Sequence, residues 1–204
     1  MSDTAVTEHA EHAEHYTATG LDNRKLAMWA FLGSECLLFG ALISAYLLYR
    51  GRGPGLKPHD VYDIPYTSVS SFVLLMSSLT MVLALSALQR GYVRKCRVWL
   101  TATAMLGVIF ISGQVYEFTT FVHKGLSLTV NPASSAFFTL TGFHGTHVTL
   151  GIIMLLSLVG MSLIGRITPE NSLIVELVGL YWHFVDIVWI VIFTVVYLMP
   201  AGHK

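Results

Sequence analysis

Seven residues in the chain combine chemistry with an unusual setting: Glu35, Gln114, Glu117, His144, His147, His183 and Asp186 all sit inside long apolar stretches. The densest grouping is Tyr181-Trp182-His183-Phe184-Val185-Asp186-Ile187-Val188-Trp189. On a helix, His183 and Asp186 at i and i+3 share a face, as do His144 and His147 one stretch earlier. Three chemistries could use them. Two helices presenting His-x-x-His and His-x-x-Asp could bind a metal, although the Glu-x-x-His repeats of bundle di-metal sites are missing. Histidines on facing helices could also ligate a b-type haem. Intramembrane Glu, Asp and His are the usual parts of a proton or ion path. In the plainest alternative these groups satisfy one another, or hold lipid head groups, where helices pack. The spacing alone leaves all four of these readings open.

The elements that carry these residues read as membrane spans. The chain has 204 residues, 54% hydrophobic and 12% charged, with mean hydropathy +0.64. That composition predicts an all-α polytopic membrane protein. Five apolar segments, at about 26–49, 66–89, 97–122, 133–164 and 172–199, are each long enough to cross about 30 Å of hydrocarbon. The fourth is overlong, which predicts tilt or an interfacial first turn. Between spans one and two, Arg50-Gly-Arg-Gly-Pro-Gly-Leu-Lys-Pro-His cannot continue a helix. Asn131-Pro132 precedes the fourth span, and Thr168-Pro169-Glu170 separates the last two. The expected organisation is a polar tail over 1–23 and one five-helix domain over 24–204.

The tail holds the run Glu8-His9-Ala10-Glu11-His12-Ala13-Glu14-His15. A histidine-rich tract can bind metal, but a solvated, disordered tail is the simpler expectation. The start of the chain lacks the basic region of a signal peptide, so insertion is expected to rely on the first span. The net charge of zero gives no basic surface for nucleic acid. Cys36 and Cys96 show no metal-type or C-x-x-C spacing. Lys and Arg number seven on the side of the N-terminus and five on the other, which predicts N-terminus inside and C-terminus outside.

Counted from the ends of the spans, Glu35, His147, His183 and Asp186 lie within about one turn of each other in depth. Glu117 and His144 lie nearer the outside. The expectation is a buried polar cluster near the midplane with a second patch above it. Glu35 and His147 are expected to form a hydrogen-bonded pair, with His183 and Asp186 ordering the neighbouring span. Trp182 and Trp189 lie too deep for an interfacial belt and are expected to pack. Gly40 with Ser44, and Gly145 with Thr149, have the small-xxx-small spacing of close helix contacts.

Four passages, in order, resemble subunit III of the haem–copper oxidases. Ser34-Glu35-Cys36-Leu37-Leu38-Phe39 is similar to the family's Ser-Glu-x-x-x-Phe, and Gln114-Val115-Tyr116-Glu117-Phe118 to its Gln-x-x-Glu-aromatic stretch. Gly142-Phe143-His144-Gly145-Thr146-His147-Val148 resembles Gly-Phe-His-Gly-x-His-Val, with Thr146 where many members have Leu. Tyr181 through Trp189 resembles Tyr-Trp-His-Phe-Val-Asp-x-Val-Trp.

The resemblance covers about 24–199 and points to the short bacterial form, which lacks the first two of seven helices. It implies an accessory subunit of a complex that reduces O₂ and translocates protons. Haem and copper would belong to partner subunits, and this chain would hold no cofactor and no catalytic residue. It implies packing on subunit I, assembly with subunit II and other subunits, and phospholipid bound between helices. Support of proton uptake and of sustained turnover would be its contribution. Glu35 would be the carboxyl that reacts with dicyclohexylcarbodiimide, a reaction that needs a protonated carboxyl in an apolar setting. The implied location is the bacterial cytoplasmic membrane. Gly142-Phe143 and Tyr181 look like the cytochrome c oxidases, whereas the histidine-rich tail keeps the quinol oxidases open as the alternative.

Overall fold

A computed structural model describes residues 22–50, 52 and 63–199. The histidine-rich run and most of the Gly- and Pro-rich first loop lie outside the described residues. The described residues form five long helices: α1 (Asn23–Tyr49), α2 (Ile64–Gln89), α3 (Val93–His123), α4 (Pro132–Leu163) and α5 (Ser172–Phe193). A single 3₁₀ turn (Pro169–Asn171) precedes α5 and a π-helical turn (Thr194–Leu198) follows it. Among the described residues there is no β-sheet. All five helices are long and apolar enough to cross a membrane, and the protein is an all-α, multi-pass membrane bundle.

The chain divides into two compact units, Met1–Cys36 and Leu37–Lys204. In the second, α2 packs on α3, α3 on α4, α4 on α5, and α5 back on α2, so four helices close a ring. The outside of this ring is apolar: Phe72, Leu79, Val98, Met105 and Ile187 are all exposed. Its inside is more polar than a soluble core, with Ser71, Ser77, Thr103, Gln114, Glu117, His144 and Asp186 buried. That inversion follows from the solvent. Lipid tails are as apolar as Leu, so helices gain from close packing and interhelical hydrogen bonds instead of from burying hydrocarbon.

The helix ends follow from local sequence. Asp63 Oδ1 accepts from the Tyr66 amide at 3.2 Å, and Pro65 is the second residue of α2. Asn131 Oδ1 accepts from the Ser134 amide at 2.7 Å, with Pro132 as the first residue of α4. In both, a short polar side chain satisfies a free N–H, and proline occupies a place where no donor is needed. The turns after α2, α3 and α4 share one device: Gly91, Gly125 and Gly165 have φ of 82°, 88° and 73°. The amides of Tyr92, Leu126 and Arg166 then reach back to the carbonyls of Ala87, Phe121 and Met161. This is the Schellman closure, which needs a residue that tolerates the left-handed region. At the end of the ring that holds the Gly91 and Gly165 turns, Arg97 donates to the Ser162 carbonyl at 2.7 Å and to its hydroxyl at 3.2 Å. A guanidinium there meets the free carbonyls and the negative end of α4.

The first three helices start a few residues before the spans expected from sequence, and the fourth agrees with its span to within a residue at each end. In the fifth the α-helix stops at Phe193, and the expected last turn is the π-helical Thr194–Leu198. α3 begins at Val93 instead of about 97, because its basic first turn stays helical while Arg97 is held by Ser162.

Candidate functional site

The site is built on the α2–α5 contact. Trp182 and Trp189 lie two turns apart on one face of α5 and both are fully enclosed, at 0% and 1% exposure. Each indole N–H in such a setting needs an acceptor. Trp182 Nε1 donates to Ser77 Oγ at 2.9 Å, and Trp189 Nε1 donates to Ser71 Oγ at 2.9 Å. Ser78 Oγ lies 2.6 Å from His183 Nδ1. As α5 is followed from 182 to 189, the partner on α2 moves from 77 to 71, so the two helices are zipped together antiparallel by three side-chain hydrogen bonds.

Asp186 turns toward the same helix. Ser78 is its polar neighbour, yet neither carboxylate oxygen has a hydrogen-bond partner within normal distance and angle. His183 and Asp186 therefore do not bond each other. The imidazole takes the hydroxyl that α2 brings to it, and the carboxyl one turn on stays in the same interhelical seam.

The slot for Trp182 is cut by two glycines. A Cβ on Gly107 of α3 would lie 2.7 Å from the indole Cη2, and one on Gly151 of α4 would lie 2.8 Å from Cε3 and Cζ3. The indole thus bridges all four helices of the ring. Gly145, expected to make such a close contact, has nothing within 4 Å of an added Cβ. Small-xxx-small spacing tells that an approach is permitted, not which helix makes it. Gly40 is likewise open.

His144 occupies an aromatic box. It stacks on Trp189 with centroids 4.9 Å apart and planes at 24°. The edges of Phe110 and Phe39 meet it at 6.2 and 6.4 Å. It is 1% exposed, and neither ring nitrogen has a hydrogen-bond partner. Gln114, also buried and with Nε2 unpaired, lines a cavity of about 350 Å³ between α3 and α4 together with His144, Gly145 and Phe118. His147, one turn along from His144, lies 5.0 Å from the Phe39 ring. Its Nδ1 is 2.8 Å from the Phe143 carbonyl, and its own carbonyl accepts from the Tyr181 hydroxyl at 3.0 Å.

Glu117 belongs to a separate group. Its Oε1 accepts from Thr67 Oγ1 at 2.8 Å and from the Tyr197 hydroxyl at 3.3 Å. Glu35 lies in the unit Met1–Cys36, where it is half-buried; the adjacent Ser34 hydroxyl donates to the Phe31 carbonyl at 2.7 Å.

Within the second unit the expected polar cluster is therefore three distinct environments: the serine seam of His183 and Asp186, the aromatic box of His144, and the hydroxyl pair around Glu117. Among the described residues no group of three or more His, Cys, Asp or Glu is placed to hold a metal ion. Sequence reasoning missed Thr67, Ser71, Ser77, Ser78, Tyr197, Gly107 and Gly151. A signal existed for the serines, since Ser70-Ser71 and Ser77-Ser78 repeat at seven residues and so share a helix face.

Comparison with known proteins gives matches over nearly the whole length of the chain. The family model for cytochrome c oxidase subunit III matches residues 3–201. Quinol oxidase subunit 3 of Bacillus spizizenii is 37% identical over 202 residues, covering 96% of this chain and 98% of the relative. Cytochrome c oxidase subunit 3 of Bacillus sp. strain PS3 is 36% identical over 197 residues, covering 96% and 95%. Cytochrome bo(3) ubiquinol oxidase subunit 3 of Pseudomonas aeruginosa is 35% identical over 180 residues, covering 88% and 86%. The chain belongs to the cytochrome c oxidase subunit III family, the third subunit of haem–copper oxidases.

Proposed function

We propose that this chain is a non-catalytic accessory subunit, which packs on subunit I of its oxidase and supports proton uptake and sustained turnover without holding a redox centre. The observation that carries this reading is how its buried polar groups are used. Trp182, Trp189 and His183 each go to a serine of α2, and His144 is enclosed by aromatic rings. Such groups fix helices against one another; they do not converge on a reacting atom. Subunits I and II, which would carry haem and copper, are the partners this role requires. The cavity beside Gln114 is apolar enough for an acyl chain, which supports lipid contact. We place the N-terminus in the cytoplasm and the C-terminus outside a bacterial inner membrane, on the Lys and Arg asymmetry of the sequence.

Selective removal of this chain from the purified complex tests the reading. The depleted enzyme should begin O₂ reduction at the rate of the intact complex, then take up protons more slowly and inactivate over successive turnovers. Loss of oxidase haem together with this chain, or an initial rate near zero, would contradict it. A cytochrome c oxidase is the first reading, resting on Gly142-Phe143 and Tyr181. A quinol oxidase is the second, because relatives of that name match at 37% identity. Turnover of the complex with reduced cytochrome c or with quinol separates the two.

A further inference from the structure

A second cavity, of about 480 Å³, opens where α2 begins and α3 ends; Asp63, Tyr66, Tyr116, Glu117, Thr120 and Lys124 line it. Glu117 is 3% exposed. Its Oε1 is taken by Thr67 and Tyr197, whereas Oε2 has no hydrogen-bond partner. Tyr197 reaches it from the π-helical turn Thr194–Leu198, which puts Val196 and Tyr197, neighbours in sequence, both inside the protein. Wide turns of this kind often mark functional positions. The chain has thus assembled two donors for one carboxylate oxygen and left the other without any.

Among the described residues that line the cavity, Lys124 brings one positive charge, and it makes no hydrogen bond to Glu117 Oε2. Asp63 lies within electrostatic range of Glu117, so two carboxylates face one lysine. The Tyr66 and Tyr116 rings, with centroids 5.8 Å apart, line the same space. A bare divalent ion such as calcium needs six to eight oxygen ligands, and no group of three ligating side chains exists among the described residues. An ammonium group instead takes a carboxylate at its N–H donors and an aromatic face along its flank. We propose that this cavity is a binding site for a primary alkylammonium, with Glu117 Oε2 as its acceptor and Tyr66 and Tyr116 as its aromatic walls. Lys124 is the opposing charge at this site. The site goes beyond the accessory role and does not depend on it.

The test is saturation-transfer NMR of ethylammonium chloride with the intact oxidase complex in nanodiscs, at constant ionic strength. With phosphatidylglycerol discs, saturable binding is expected, weakened about tenfold or more in Glu117→Gln by loss of a charged hydrogen bond. Lys124→Gln should bind more tightly and Tyr116→Ala less tightly. These two variants change exposed side chains and keep the test valid if Glu117→Gln fails to assemble. Discs containing phosphatidylethanolamine identify the source. Weaker ethylammonium binding there assigns the site to a lipid amine, and unchanged binding assigns it to a free amine. Absence of saturable binding in phosphatidylglycerol discs, or variants that all bind like the wild type, would overturn the proposal.

Discussion

At the residue scale the fold turns on Trp182, whose ring fills the space left by two missing side chains and whose N–H is spent on Ser77. Gly151→Ala would force a methyl to 2.8 Å from that ring, an overpacking that costs about 1–3 kcal/mol. Gly145→Ala, with open space around it, should leave the isolated chain unchanged. Denaturant titration of both variants in micelles checks the contrast, and equal stabilities would sink the slot argument. Ser77→Ala should cost about 1 kcal/mol or more, because it leaves the buried indole N–H unpaired. In Trp182→Phe the same serine change should matter far less, which a double-mutant cycle reads directly. Glu35 belongs to a separate test. Carbodiimide labelling of the complex should be abolished in Glu35→Gln with assembly retained, and persistent labelling would assign the reaction to another carboxyl.

At the scale of the element, three turns repeat one closure and two helices start on the same cap and proline. Asn131→Ala removes the hydrogen bond to the Ser134 amide and should lower stability by about 1 kcal/mol, seen as earlier thermal unfolding of the purified chain. An unchanged transition would mean that the cap contributes nothing beside tertiary packing. Asn131-Pro132 is legible in the sequence because it acts through local backbone geometry, and Gly91, Gly125 and Gly165 close their turns by the same local means. Span lengths are legible for the same reason: about 20 apolar residues cross a bilayer wherever they occur. Partners across helices are not. His183 and Asp186 share a face by spacing, but only packing shows that the imidazole meets Ser78. Gly145 and Gly151 look alike in sequence, and only packing shows which one faces an indole. Short-range rules fix the helices, whereas the pairing of side chains depends on rotation and register between them.

At the scale of the whole molecule, membership of the subunit III family follows from a match over residues 3–201, and it makes the other oxidase subunits the partners of this chain. The apolar exterior and polar interior of the α2–α5 ring agree with a protein immersed in lipid. On the proposed reading, the buried His144 and the half-buried His183 serve helix packing and not electron transfer. The most direct measurement is a reduced-minus-oxidised spectrum with metal analysis on the purified complex and on this chain after detachment. Oxidase haem bands that remain with the large partner, leaving the detached chain colourless and free of stoichiometric metal, are the predicted result. Haem or metal that follows the detached chain would make His144, His147 and His183 ligands and contradict the account.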